Sequence, residues 1–418
     1  MSAKTWKGVR WRMILLMMLG GVLNYLSRST LSVAAPTLMH ELHITTQQYS
    51  WVTGVFSFTL MFQPLCGYVL DVLGLKLGFA IFATVWSLVC MAHGLVTNWP
   101  VLAGLRGVLG LAEGCANPAG MKGTAEWFPA RERGFAGGIF NIGASAGSML
   151  APPLVAWMIL FYSWQIAFVV VGLAGLVWVA AWLAFFHSPI KHPHLSAEER
   201  DHILAGQEKH LAGEDRRPPI LSLLARRNFW GIALPRFLAD PTWGTLFAWM
   251  PLYLVTIRHF DLRQIALFAW LPFLAADLGC LFGPSVVLAL QRRGVSLITA
   301  RKLAFTLGAF MMTGVIFTGL VDNPYMAVAL LSLAGFAHQT LSVTVITMAS
   351  DLFKRSEVAT VAGMAGTCGN LGITIFTLLL GALLPKFGYS PFFIALSLLD
   401  IVGAIVLWSV VRAPRETA

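Results

Sequence analysis

Two stretches of the chain, "EWFPARERGFAGGIFNIGASAG" at residues 126–147 and "DLFKRSEVATVAGMAGTCGNLG" at residues 351–372, align when the sequence is shifted by 225 residues. Glu132 then meets Glu357 within the same pattern of an apolar run, a basic loop and a second run. The shift also pairs Phe128 with Phe353, Gly138 with Gly363, Gly147 with Gly372, Asn98 with Asn323 and Gly110 with Gly335. Apolar segments also resemble one another by chance, but a register this long predicts two parallel halves with a site between them.

The composition is that of a membrane protein. Of the 418 residues, 57% are hydrophobic and 11% are charged, whereas soluble domains carry about 45–50% apolar and about 25% charged residues. A bilayer span needs about 20 apolar residues. Twelve such runs occur, at 13–38, 49–70, 78–97, 101–126, 135–158, 165–187, 229–255, 264–290, 303–321, 325–350, 358–384 and 390–411. We predict an all-α membrane protein with twelve transmembrane helices in two pseudo-symmetric six-helix bundles.

A polar linker divides the runs into two sets of six. We expect an N-terminal six-helix bundle at 1–187, a cytoplasmic linker at 188–228 and a C-terminal six-helix bundle at 229–418. Ser196 and Glu199 match a capping box, which predicts a short linker helix. The linker histidines lack ordered ligand spacing, and the five cysteines fall inside apolar runs. We therefore predict a solvated linker, no metal site, no disulfide framework and no cofactor.

The basic residues indicate the orientation. Most of the 29 Lys and Arg residues flank the runs on the side of the termini and the linker, and only Arg258, Arg263 and Lys386 flank them on the other. The positive-inside rule therefore predicts a multi-pass protein with both termini in the cytoplasm. The net charge of +10 arises mainly from these basic residues on the predicted cytoplasmic side. We therefore expect membrane lipid, and no nucleic acid, as a partner.

The first run, "LGGVLNYLSRSTLSVAAP" at 19–36, contains a permanent charge. At 100° per residue, Tyr25, Arg28, Ser29 and Ser32 share one helix face, which makes a polar stripe. Ionisable residues within a membrane usually face a partner or a cavity. Arg28 is either a structural ion-pair partner of a neighbouring helix or a planar donor that binds a substrate carboxylate.

The fourth run carries the best candidate proton carrier. Arg106 and Glu113 are two turns apart and share a face with Gly110 between them. Burial raises the pKa of a carboxyl and a nearby Arg lowers it, so Glu113 is a candidate for titration near working pH. The alternative is a permanent Arg106–Glu113 tie. Lys122 lies nearer the cytoplasm, either on an exit path or snorkelling.

The seventh run, "LPRFLADPTWG", has Arg236 and Asp240 at i,i+4 with Trp243 on the same side. We expect a mutual ion pair, and the prolines at 235 and 241 predict a broken helix beside a cavity. Asp277 in the eighth run has no local partner, so we expect it to pair with a base on another helix.

His338 in the tenth run lies at the repeat position of Glu113. It is either a hydrogen-bonded core histidine or a proton relay. Asn141 and Asn370 lie in glycine-rich helix centres, where they bind either substrate hydroxyls or neighbouring helices.

The stretch "GYVLDVLGLKLG" after the second run resembles a motif of the major facilitator superfamily. Gly67, Asp71, Gly74 and Lys76 match its pattern G-x-x-x-D-x-x-G-x-K in the expected loop. Gly67 would allow close helix approach and Gly74 a tight turn. Asp71 would complement a helix N-terminus as part of a gate.

Further phrases narrow the resemblance. "NYLSRSTLSVAAPTL", "GLRGVLGLAEG" and "EWFPARER" are similar to the anion:cation symporter family, and "ELHITTQQYSW", "FWGIALPRFLA" and "GFAHQTLS" to bacterial hexuronate transporters. The resemblance implies uptake of galacturonate and glucuronate with protons across the bacterial inner membrane. It implies that Arg28 and Tyr25 contact the sugar acid, that Glu113 couples to protons beside Arg106, and that Asn370 binds hydroxyls.

Two positions depart from that family. Ser27 stands where many members carry an aspartate, which leaves Glu113, assisted by His338, as the proton carrier and puts the proton count in doubt. Thr59 stands where a tyrosine is frequent, so sugar selectivity is open. The candidate substrate contacts are Tyr25, Arg28, Thr59, Asn141, Arg236, Trp243, His338, Gln339 and Asn370.

We therefore expect a monomeric proton-coupled symporter for a monoanionic sugar acid that works by alternating access. Another sugar acid, such as an aldonate or aldarate, and a non-transporting nutrient sensor remain alternatives. We do not expect an enzyme, because no nucleophile, metal or cofactor motif is present.

Overall fold

A computed structural model describes residues 8–129, 132–205, 220–353 and 355–412. Their α-helices are α1 (Val9–Glu41), α2 (Thr46–Leu60), α3 (Gln63–Leu73), α4 (Leu75–His93), α5 (Trp99–Glu113), α6 (Ala116–Trp127), α7 (Arg133–Phe161), α8 (Trp164–Phe185), α9 (Ala197–Ala205), α10 (Ile220–Leu224), α11 (Arg227–Ala248), α12 (Met250–Thr256), α13 (Leu262–Phe268), α14 (Leu271–Arg292), α15 (Leu297–Met312), α16 (Pro324–Leu352), α17 (Arg355–Phe387) and α18 (Ser390–Val410). We call α1–α8 the N-terminal set and α11–α18 the C-terminal set.

The predicted spans appear as helices, but some are interrupted. Among the described residues, nine helical segments are long and apolar enough to cross a membrane, and α2 with α3 makes a tenth span bent by 44°. The remaining two runs are the pairs α5–α6 and α11–α12, which break after Glu113 and after Ala248. Glu113 is the last residue of α5 at its break, whereas α11 runs without interruption through Pro235 and Pro241, so the break predicted at these prolines lies instead after Ala248.

Glycines explain why the repeat keeps its register. A Cβ at Gly147 on α7 would lie 2.4 Å from the carbonyl oxygen of Val22 on α1. A Cβ at the repeat-related Gly372 on α17 would lie 2.1 Å from the carbonyl oxygen of Phe237 on α11. Each set therefore packs its first helix against a later helix through backbone contact that only glycine permits.

The other repeat pairs also hold matching positions. Asn98 and Asn323 cap α5 and α16, each accepting a backbone N–H of the first turn. Gly110 and Gly335 follow on those helices, and a Cβ there would lie 2.5 and 2.3 Å from a carbonyl oxygen of the neighbouring helix. The repeat is therefore one of helix caps and close helix contacts.

Each of the repeat-related glutamates pairs with an arginine near the start of the first helix of its set. Glu132 Oε2 forms an ion pair with Arg10 Nε at 3.2 Å. Glu357 accepts two hydrogen bonds from Arg226, at 2.7 and 2.8 Å. Bidentate hydrogen bonding of this kind is the strongest interaction between an arginine and a carboxylate.

The linker helix docks onto the N-terminal set. The Glu199 N–H donates to Ser196 Oγ at 3.2 Å, which is half of the predicted capping box. The Glu199 carboxylate turns away and accepts the N–H groups of Val9 and Arg10, each at 3.2 Å. It thereby caps α1, where a carboxylate also complements the helix dipole. We call this end of the bundle the linker side and the other end the far side.

The first part of the linker is less solvated than the sequence predicts. The His192 ring packs edge-on against Trp127 with centroids 5.6 Å apart. Burial lowers the pKa of His192 to about 4, so this imidazole is neutral at physiological pH.

The loop motif is only partly described. Gly74 separates α3 from α4 with φ of 76°, a conformation that favours glycine. Lys76 Nζ lies 3.1 Å from His187 Nε2. A Cβ at Gly67 would lie 3.6 Å from Pro118, an ordinary contact, so close approach does not require this glycine. The Asp71 side chain lies outside the described residues.

Gly372→Ala tests the backbone contact between α17 and α11. The added methyl group would meet the Phe237 carbonyl, and such overpacking costs about 1–3 kcal/mol. We expect a lower melting temperature for the detergent-purified protein. The control is Gly363→Ala on the same helix, where nothing lies within 4 Å of the added Cβ. Equal melting temperatures for the two variants would contradict the packing role.

Candidate functional site

A cavity of about 90 Å³ lies between the two sets and is lined by α1, α2, α5, α11 and α17. Its lining comprises Arg28, Ser32, Tyr49, Thr53, Phe56, Ser57, Leu60, Arg106, Trp243, Gly244, Phe247, Ala248, Asn370, Ile373 and Thr377. One wall, from the N-terminal set, carries both arginines. The other wall, from the C-terminal set, is neutral. The cavity is therefore electrically asymmetric.

Arg28 is paired across helices. Its Nε lies 3.2 Å from Oε2 of Glu113, whose side chain is fully buried. Arg106 NH2 donates to the Arg28 carbonyl oxygen at 3.1 Å. Ser27 leaves Arg28 without an adjacent carboxylate, but the packing of α5 near α1 supplies one from 85 residues away. Of the two roles that the sequence left open for Arg28, the structure shows the ion pair with a neighbouring helix.

Some polar atoms of this cluster lack partners. Within the described part of the chain, Arg106 Nε and NH1 and Glu113 Oε1 are buried and make no hydrogen bond. Buried polar groups are normally paired, so Arg106, which lines the cavity, keeps hydrogen-bonding capacity that no protein group uses. Two arginines facing one carboxylate also leave one positive charge uncompensated while Glu113 is ionised.

Aromatic rings hold the guanidinium planes in place. The Arg28 guanidinium lies 4.5 Å from the Tyr25 ring centroid and 5.4 Å from that of Phe56. Arg106 lies 4.9 Å from the Phe56 centroid. Cation–π contacts of this kind favour a charged, oriented guanidinium where water is scarce. Tyr25 thus acts on the site through Arg28 and is not among the cavity-lining residues.

The predicted ion pair of α11 forms but does not line the cavity. Arg236 NH2 lies 3.0 Å from Asp240 Oδ2. Both side chains face α17, where a Cβ at Gly369 would meet Asp240 Oδ2 at 2.0 Å. The pair is therefore internal to the C-terminal set, and its positive charge is already neutralised.

Several other predicted contacts lie outside the cavity. The Thr59 hydroxyl bonds the carbonyl oxygens of Val55 and Phe56 on its own helix, each at 3.1 Å. Asn141 is exposed on α7, and Gln339 is partly buried on α16. His338 lies behind Trp243, with ring centroids 5.9 Å apart. Of the predicted contacts, the cavity lining includes Arg28, Trp243 and Asn370.

Three hydroxyl groups of α2 line the cavity but are not among the predicted contacts. Tyr49, Thr53 and Ser57 all line the cavity and recur at every fourth residue. On a helix that spacing places them on one face, so the polar stripe was readable in the sequence. Thr377 on α17 adds a hydroxyl on the opposite wall.

A hydrogen bond between the sets closes the cavity towards the far side. The Tyr49 hydroxyl donates to the Ala248 carbonyl at 2.6 Å, and its ring packs edge-on against Trp249. Pro251 near the start of α12 has no N–H, which contributes to the break there. The break leaves the Ala248 carbonyl available to Tyr49.

Asp277 makes a second contact between the sets. Ser145 on α7 donates to Asp277 Oδ1 at 2.5 Å. The expected basic partner is therefore replaced by a hydroxyl of the N-terminal set, because α14 packs against α7. This carboxyl group lies outside the cavity lining.

Comparison with known proteins agrees with this architecture. The family described as Major Facilitator Superfamily matches residues 17–300 and 295–418. The fold matches a bacterial homolog of the human lysosomal transporter Spinster in an inward-facing, occupied conformation, with a TM-score of 0.72. That match is 14% identical in sequence and covers 97% of this chain and 96% of the other.

Curated relatives are more similar in sequence. The chain is 50% identical to the hexuronate transporter of Escherichia coli (strain K12), over 97% of this chain and 95% of that protein. It is 50% identical to the galacturonate transporter of Dickeya chrysanthemi, over 77% of this chain and 94% of that protein. It is 29% identical to the probable galactarate/D-glucarate transporter GarP of Escherichia coli (strain K12), over 91% and 90%.

Tyr49→Phe tests the closure on the far side. The change removes one hydrogen bond between the sets, which contributes about 0.5–1.5 kcal/mol, and keeps the ring. We expect a cysteine introduced as Thr377→Cys to react about 2- to 10-fold faster with an impermeant maleimide supplied from the far side. The control is Tyr162→Phe, whose ring is exposed. An unchanged labelling rate in Tyr49→Phe would contradict the closing role.

Proposed function

The chain belongs to the Major Facilitator Superfamily, and we propose that it imports galacturonate and glucuronate together with protons by alternating access. The membrane in question is the bacterial inner membrane, with both termini in the cytoplasm. The observation that carries the proposal is the Arg28–Glu113 pair beside the cavity, at 3.2 Å. The names of the relatives that are 50% identical support a sugar-acid substrate.

The pair explains why an anion and a proton would move together. A substrate carboxylate has the same chemistry as the Glu113 side chain, so the two compete for the Arg28 guanidinium. While Glu113 is ionised it holds Arg28. A proton on Glu113 removes that negative charge, and the substrate carboxylate then takes its place. By linkage, substrate and proton each increase the affinity for the other.

Release would follow the reverse order on the cytoplasmic side. Loss of the proton there restores the carboxylate of Glu113, which recaptures Arg28 and displaces the sugar acid. Opening to the outside would require the Tyr49–Ala248 hydrogen bond to break, because it closes the far side of the cavity. His338 lies behind Trp243 and outside the cavity lining, so we assign the coupling to Glu113.

The charge distribution favours a monoanion. Among the described residues that line the cavity, the charged ones are Arg28 and Arg106, both on the N-terminal wall. An aldarate carries a carboxylate at each end, and its second carboxylate would face neutral groups of the C-terminal wall such as Asn370 and Thr377. Placing a charge there without a partner is costly. A uronate presents hydroxyls at that end, which these side chains bind.

Arg28→Lys tests whether Arg28 binds the substrate carboxylate. Lysine keeps the charge but loses the planar, two-pronged donor. Hydrogen bonds to charged groups contribute about 1.5–3 kcal/mol, so we expect KM for galacturonate in proteoliposomes to rise at least about tenfold. Arg28→Gln/Glu113→Gln, which leaves no unpaired buried carboxylate, should lose uptake.

Unchanged kinetics in both variants would contradict binding of the substrate carboxylate by Arg28. Equally strong uptake of neutral galactose by the unaltered chain would contradict it as well. Binding of galacturonate without accumulation in the unaltered chain would favour a nutrient sensor instead.

Glu113→Gln tests the coupling. The amide mimics the protonated carboxyl, so galacturonate affinity should become independent of pH. In the unaltered chain the affinity should rise as pH falls, because protonation frees Arg28. Counterflow should continue in the variant, whereas accumulation driven by a pH gradient should stop. Asp322→Asn, at an exposed loop carboxylate, is the control. Accumulation that survives Glu113→Gln would exclude this role.

A further inference from the structure

We propose that Trp243, held in place by His338, is a stacking platform for the pyranose ring of the substrate, so that the site selects closed-ring uronates over open-chain sugar acids. The inference rests on the proposed function and adds to it the chemical form of the substrate. It also assigns His338 a positioning role in place of a proton relay.

Trp243 has one covered face and one that is available to the cavity. The His338 ring stacks on it with centroids 5.9 Å apart and planes inclined by 17°. Trp243 lines the cavity, so the face away from His338 is the one that a ligand meets. Phe273 packs edge-on against the indole at 5.8 Å and 90°. The indole plane is therefore fixed before any ligand arrives.

The properties of His338 fit a residue that supports the Trp243 indole by stacking. It is 2% exposed, and its Nδ1 makes no hydrogen bond within the described part of the chain. A relay needs a partner that passes the proton on, whereas a flat neutral ring needs only shape and contact. The nearby charges of α11, on Arg236 and Asp240, are already paired with each other at 3.0 Å.

The platform is connected to the arginine that would bind the carboxylate. Arg28 lies 4.5 Å from the Tyr25 ring, and Tyr25 packs against Phe247 at 6.2 Å. Phe247 in turn lies 5.9 Å from Trp243. A run of aromatic rings therefore leads from the cationic wall to the neutral wall. In a pyranuronate the carboxylate is attached directly to the ring, so binding at Arg28 brings the ring onto this run.

The chemistry of the two substrate forms differs at this surface. The C–H groups on a pyranose face are apolar and weakly positive, which matches the negative face of an indole. An open-chain aldonate has no such flat face, and ordering its rotatable bonds costs conformational entropy. Contact with the indole therefore increases the affinity for the closed-ring form and adds little to the affinity for the open-chain form.

The experiment is inhibition of labelled glucuronate counterflow in proteoliposomes by galacturonate and by open-chain galactonate. For the unaltered chain we expect galacturonate to inhibit at a concentration at least about tenfold lower. Trp243→Leu should raise the galacturonate constant about tenfold, the scale of one lost stacking contact, and leave the galactonate constant within about threefold. Trp243→Phe should lie between the two.

His338 is tested in the same assay. His338→Phe keeps a flat ring behind the indole and should retain the preference, whereas His338→Leu should reduce it. Trp157→Leu, at an indole that is 49% exposed outside the cavity, is the matched control and should change neither constant.

Two results would overturn the platform: no preference in the unaltered chain, or equal losses for both inhibitors in Trp243→Leu and in Trp243→Phe. Absence of any sugar-acid counterflow in the unaltered chain would instead refute the proposed function.

Discussion

A single buried ion pair organises the working part of this protein. Arg28 lies within a membrane-spanning helix, where a charge without a partner is costly, and Glu113 on α5 neutralises it from 3.2 Å. A buried pair of this kind contributes little net stability, because the desolvation of both groups offsets their attraction. Its proposed role is in transport, because a proton can neutralise Glu113 and a substrate carboxylate can then replace it at Arg28. The proposed coupling depends on that exchange.

The two sets share a framework but divide the chemistry. In both, a glycine of the repeat allows a later helix to touch the backbone of the first one, at Gly147 and at Gly372. The N-terminal set turns its arginines towards the cavity. The C-terminal set neutralises Arg236 within itself and presents an indole, a phenyl ring and short polar side chains. Repetition therefore supplies the scaffold, and the asymmetry of side chains supplies one end for the charge and one end for the sugar.

Local sequence patterns predicted much of this framework. The apolar runs anticipated the spans, and the repeat anticipated matched caps at Asn98 and Asn323 and matched close contacts at the glycines. The i,i+4 spacing of Arg236 and Asp240 predicted their pair, because both lie on one helix. The same kind of spacing on α2, at Tyr49, Thr53 and Ser57, carried an equally clear signal that the sequence reasoning did not use.

The sequence by itself therefore determined the membrane class, the order of the helices, the repeat and the contacts within single helices, since each depends on periodicity along the chain. Only the tertiary structure decided which side chains share the cavity. Arg28 meets a carboxylate 85 residues away, Asp277 meets a serine in place of a base, and Thr59 bonds its own helix. These outcomes depend on how helices rotate and cross one another. Close packing between distant segments sets that rotation, and spacing along one helix carries no record of it.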